Sequence, residues 1–190
     1  VLDIDGNTYK TILIGTQIWM AENLKVTQYK DGSAIPTGHS GSDWANLSTD
    51  AYAVYDDEPS NAEVYGNLYN WFAVHNSKGL CMEGWHVPTD EEFTFVGTMK
   101  STGTIEDEDG LWNAPNIGAT NESGFTGLPG GMRFYNNGNY INMGDEGCFW
   151  TSSIFTEPTY TGKAIFLDNP NEYHGQSYKN NGMSIRCLKD

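Results

Sequence analysis

The spacing of apolar and polar positions changes period several times along the chain, and each change predicts an element. Asp5-Gly6 is a turn signal, and Thr8 to Ile14 has the composition of a strand. Gly15-Thr16-Gln17 then turns the chain into Ile18-Trp19-Met20, so a hairpin or short meander opens the fold. Residues 25–64 carry no strong period and only scattered aromatics, Trp44, Tyr52 and Tyr55, which predicts a long ordered excursion. Leu68, Trp71, Phe72 and His75 follow at i, i+3, i+4, i+7, the stripe of a helix over 66–76 with His75 on its core face.

A second helix is predicted after Pro88. Thr89 is a good N-cap, Glu92 completes a capping box, and Asp90, Glu91 and Glu92 suit the positive end of the helix dipole. Phe93, Val96 and Met99 would line its buried face. Residues 101–131 form another long loop. Beyond it come strands at 131–135, 140–143, 148–154, 164–168, 173–178 and 183–188, separated by turns such as Asn136-Asn137-Gly138, Asn169-Pro170-Asn171 and Asn180-Asn181-Gly182. Met183, Ile185 and Cys187 alternate as in a half-buried strand. The short connections predict an antiparallel meander. The expectation is an α+β fold: two short helices packed on twisted antiparallel sheet, with long ordered loops.

Composition narrows the setting. The 190 residues suit a single domain over 1–190, and 13% aromatic content is enough to build a core. Ten basic residues against 25 acidic ones give a formal charge of -15. Such a chain is repelled by nucleic acid and by anionic membrane surfaces. Solubility is the bland account of that charge, and cation binding the sharper one. No apolar run approaches the roughly 20 residues of a membrane span, so this segment is not expected to insert directly. The chain opens at Val1 in mid-pattern, which suggests a trimmed leader.

Three cysteines allow one disulfide and one free thiol. Cys81 precedes the capped segment and Cys187 lies near the end. A bridge between them would close a loop of about 100 residues, worth about 4–5 kcal/mol on the chain-entropy argument. Cys148 would then be spare, a small buried hydrophobe. The residues alone leave this pairing open beside a Cys/His nucleophile pair. There is no CxxC to support zinc or thioredoxin-like chemistry.

Six stretches carry a resemblance: DGNTYKTILIGTQIWMAENL (5–24), YGNLYNWFAV (65–74), GWHVPTDEEF (84–93), GATNESGFTGLPGG (118–131), FWTSS (149–153) and GMSIRCLKD (182–190). Together they closely resemble the Fibrobacter succinogenes major paralogous domain, almost end to end. The resemblance implies a C-type lectin-like fold, related to formylglycine-generating-enzyme-like domains. It implies pairing of Cys81 with Cys187. It also implies export in bacteria of the Fibrobacter and Bacteroidetes groups: secretion or attachment to the outer surface, often through an N-terminal lipoprotein signal. The oxidising exterior suits a disulfide.

Three function classes follow. The first is a non-catalytic recognition module that binds a glycan or a surface protein through loops. Aromatic faces stack on pyranose rings, and the candidates are Trp112, Tyr135, Tyr140, Trp150, Tyr160, Tyr173 and Tyr178. Asn171, Tyr173, His174 and Tyr178, near the hairpin before the last strand, form the preferred patch, with Trp150 beside them. Calcium is the optional cofactor. Residues 105–110 echo part of an EF-hand loop, which singles out Asp107 and Asp109, although Ile105 stands at the first ligand position and Asn116 at the twelfth. The second class is an enzyme. Formylglycine-generating relatives use two cysteines near the end of the domain, but Cys148 and Cys187 lie 39 positions apart and Cys187 is implied to be bridged. GxSxG is absent, and a glycosidase carboxylate pair is not readable from spacing. The third class is a structural or adhesin role at a pilus tip or in a matrix.

Overall fold

A computed structural model describes residues 1–94, 98–156, 159–166, 168–171 and 173–190. Among these the chain forms eleven strands and three short helices, a mostly β architecture. The predicted opening hairpin is present: β1 (Thr11–Ile14) and β2 (Gln17–Met20) pair antiparallel with Ile14 opposite Gln17. The excursion that follows is ordered. It contains α1 (Gly41–Ala45), capped by the Ser40 side chain, then β3 (Tyr52–Ala53) and α2 (Pro59–Tyr65), with Pro59 at the first helical position. Trp44 is buried with Ala51 and Ala53 in a small core of its own.

The helix predicted over 66–76 is mostly not helix. Leu68–Tyr69 is strand β4, paired with β3, and only Trp71–Val74 forms helix α3. Asn70 divides them. Its Oδ1 accepts from the N–H groups of Ala51 and Ala73, both at 3.1 Å, so it caps α3 and holds the β3 end at once. Tyr69 exchanges backbone hydrogen bonds with Met183, and that pairing takes the backbone out of helical register. His75 ends α3 exposed to solvent and stacked on Trp71, rather than in the core.

Of the second predicted helix, the described residues show the cap and one turn. Thr89 and Glu92 form the capping box, with the Thr89 N–H and hydroxyl each 2.8 Å from Glu92 Oε2 and the Glu92 N–H 3.2 Å from Thr89 Oγ1. One turn follows, closed by Phe93 N–H to the Thr89 carbonyl. Val96 lies outside the described residues. Met99 is bonded instead to Gly127 and is not helical.

The remaining strands are β5 (Trp85–His86), β6 (Gly130–Arg133), β7 (Tyr140–Met143), β8 (Glu146–Thr156), β9 (Thr159–Phe166), β10 (Tyr173–Tyr178) and β11 (Leu188–Lys189). Beside the two-stranded β3-β4 pair, a four-stranded sheet runs β1-β2-β11-β5 and a five-stranded sheet β10-β9-β8-β6-β7. The larger sheet departs from a pure meander. β6 pairs with β8 in parallel at Gly131 and Gly147, and β7 sits outside β6.

Met183, Ile185 and Cys187 do share one face, in a core with Tyr69, Trp71 and Trp150. The opposite face is buried too. Leu188 joins a second core of Trp19, Phe93, Trp112, Phe125 and Phe149, and Arg186 is fully buried. Its guanidinium donates to Asn23 Oδ1 at 2.6 Å and to the carbonyls of Met20, Phe125 and Thr126 at 3.2, 2.6 and 2.9 Å, and it stacks on the Phe125 ring at 4.5 Å. Burial pulls its pKa down from the usual arginine value. The four acceptors oppose that loss of hydration.

Candidate ligand-binding cleft

The cleft grows from the register of three strands. Cys148, Ala164 and Tyr173 stand opposite one another across β8, β9 and β10, and Trp150, Gly162 and Gly175 form the next row. Side chains alternate between faces, so these rows share a face, with Glu146 and Phe166 forming the row beyond Cys148. Two glycines opposite each other leave a trough in that face. A β-carbon at Gly175 would fall 2.2 Å from Tyr173 Cε1, which shows the tyrosine ring lying over the Gly175 backbone.

The second wall comes from the β6–β7 hairpin. Phe134 and Tyr135 follow β6, and Tyr135 stacks on Tyr178 with ring centroids 4.1 Å apart and planes 23° apart. Asn181 fixes this contact. Its Oδ1 accepts from the Tyr135 N–H at 2.9 Å, and its amide donates to Ser177 Oγ at 2.6 Å. Between these walls lies an open cleft of about 310 Å³, floored by Met132, Cys148, Ala164 and Met183. Tyr173 is 61% exposed and Tyr178 45%, so both rings are presented to solvent. Polar groups at Gln176, Ser177, Asn181 and Glu146 complete the lining.

The structure separates the residues singled out from the sequence. Tyr135, Tyr173 and Tyr178 all line the cleft. Asn171 does not line it; it sits exposed in the preceding turn, its N–H bonded to Asn169 Oδ1. His174 alternates to the other face of β10, where Nε2 lies 2.8 Å from Asp90 Oδ1. Trp150 is fully buried, its Nε1 donating to the Tyr69 carbonyl at 2.7 Å, so it supports the core and presents no surface. Trp112 is likewise buried. Tyr140 donates to Asp57 Oδ1 and lies against the Arg133 guanidinium, away from the cleft. The side chain of Tyr160 lies outside what is described. The reading missed Phe134, Glu146, Phe166 and Met183, which no local pattern distinguishes from ordinary strand residues.

Asp107 and Asp109 turn inward on their own loop. Asp109 Oδ1 accepts from the Thr104 N–H at 2.8 Å, and Asp107 Oδ2 accepts from the Thr104 hydroxyl at 2.7 Å. Among the described residues no group of three or more His, Cys, Asp or Glu is arranged to hold a metal ion.

The cysteines resolve as the resemblance implies. Cys81 and Cys187 are bridged, with Cα atoms 5.9 Å apart, and Cys148 is free and buried. Burial, with help from the Glu146 carboxylate, pushes the Cys148 thiol well above its ordinary range. Burial favours the protonated thiol, the less reactive form. No described helix is long and apolar enough to cross a membrane.

A family model for the Fibrobacter succinogenes major domain matches residues 12–189. The chain belongs to the Fibrobacter succinogenes major domain family. No curated protein and no solved structure matches it significantly. In this member of the Fibrobacter succinogenes major domain family, the matched span takes in the bridge and every strand that builds the cleft.

Proposed function

We propose that this Fibrobacter succinogenes major domain is a non-catalytic recognition module, carried outside the bacterial cell on a C-type lectin-like scaffold, and that its cleft binds a glycan. The observation that carries the reading is the pair of solvent-facing tyrosines, Tyr173 and Tyr178, standing at opposite ends of β10 on the walls of one trough. Such rings offer flat apolar faces to pyranose rings, and Gln176 and Ser177 add polar side chains to the same lining. The bridge and the absence of a long apolar helix among the described residues are compatible with an extracellular setting, secreted or surface-attached. The non-catalytic half of the reading is supported by chemistry. Cys187 is committed to Cys81, and Cys148 is held as a buried thiol, so a formylglycine-type pair of free cysteines is not available.

The test is a glycan array followed by calorimetry on the best ligand. Removing one aromatic platform should cost about 1 kcal/mol or more, roughly fivefold in affinity. Tyr173→Ala and Tyr178→Ala are each expected to show that loss with an unchanged circular dichroism spectrum. An array without any binder, or a bound glycan indifferent to both substitutions, overturns the proposal.

A further inference from the structure

Glu146 is the only charged side chain among the described residues lining the cleft. It is half-buried and stands opposite Phe166 in the β8–β9 register. Phe166 meets Tyr173 edge to face at 6.4 Å, so the carboxylate lies at the Tyr173 end of the trough. Among the described residues no lysine, arginine or histidine lines the cleft to balance it, and its carboxylate lies 3.9 Å from the Cys148 thiol. A partly desolvated carboxylate without a cation repels an anionic ligand and attracts a cationic one, and it does so more strongly than it would in bulk water. The net charge of -15 adds a long-range field of the same sign.

Resting on the glycan reading, we infer that the cleft selects an amine-bearing glycan, a hexosamine oligomer with free amino groups, and uses Glu146 as its charge partner. A ring stacked on Tyr173 brings its substituents to the end of the trough where Glu146 stands. Uronic-acid and sulfated glycans are rejected there.

The experiment compares chitosan, N-acetylated chitin and galacturonate oligomers of equal length, titrated below the amine pKa at low salt. Wild type is set against Glu146→Gln and against Glu122→Gln, an exposed control that changes net charge equally. Chitosan should bind roughly tenfold tighter than chitin, a difference of about 1.4 kcal/mol. Galacturonate should not bind. Glu146→Gln should abolish the preference by weakening chitosan binding roughly tenfold, while Glu122→Gln should keep the preference. Equal binding of the two hexosamine oligomers, galacturonate binding, a preference that survives Glu146→Gln or falls equally with Glu122→Gln, or recognition of another neutral glycan in place of chitosan each overturns the charge selection. Those results leave glycan recognition standing. Failure of every glycan on the array overturns both.

Discussion

Arg186 shows how a single residue ties distant segments together. Its guanidinium reaches Asn23 and Met20 on one side and Phe125 and Thr126 on the other, so the opening hairpin region, the long loop and the C-terminal strand segment share one donor. Removing it leaves four buried acceptors without a partner, each costing about 1–3 kcal/mol. Arg186→Met should therefore lower unfolding free energy by about 3–5 kcal/mol in urea titration despite its apolar fit. Arg186→Lys should recover little, because an ammonium cannot reproduce the planar fork. A loss below about 1 kcal/mol in the methionine variant would refute this account. The sequence did not reveal the role. Alternation along 183–187 places Arg186 opposite the apolar face, where a half-buried strand meets water. It cannot register that a loop some 60 residues away supplies carbonyls and a phenyl ring to that face.

Among the elements, local signals were read correctly where the chain itself satisfies them. The Thr89–Glu92 capping box forms with the hydrogen bonds its letters specify, yet little more than one turn of structure follows it in the described residues. The stripe at 68, 71, 72 and 75 misled for a related reason. Backbone pairing of Tyr69 with Met183 outweighs propensity, and Asn70 then restarts the chain as a helix. The capping box also predicts a pH dependence. Burial alone would raise the Glu92 pKa, but donors from Thr89 and the neighbouring His86 outweigh it, and the value is lowered. A carboxylate depressed in the folded state contributes stability that is complete above its unfolded pKa, near about 4.3, and is lost as pH falls through the lower folded value. Urea titrations between pH 6 and pH 3 should thus show a shallower acid loss in Glu92→Gln than in wild type. Gln keeps the box and removes only the charge. Parallel acid limbs in the two proteins would show that the carboxylate contributes nothing through its ionisation.

For the molecule as a whole, the cleft and the bridge differ in how far the sequence could show them. Tyr173 and Tyr178 were visible because both stand on one predicted hairpin strand. Tyr135 was singled out as well, but its stacking on Tyr178 was not legible, since the Asn181 clamp sets it, and the trough exists only because Gly162 and Gly175 fall opposite each other in register. The bridge joins residues 106 apart and anchors the segment that carries Arg186 and β11 against the root of the capped turn. A closure of that length restricts the unfolded chain by about 4–5 kcal/mol. Cys148 supplies an internal control for measuring this. Mass spectrometry after alkylation should find no label on the native protein, one label after denaturation without reductant, and three when reductant is added. Reduction should also shift the urea midpoint downward by an amount matching several kcal/mol, with Cys148→Ser shifting in parallel. If reduction leaves the midpoint in place, the tether does not hold the C-terminal segment. The stability of the scaffold, and the fixed spacing of the tyrosines upon it, would then rest on packing and on Arg186 alone.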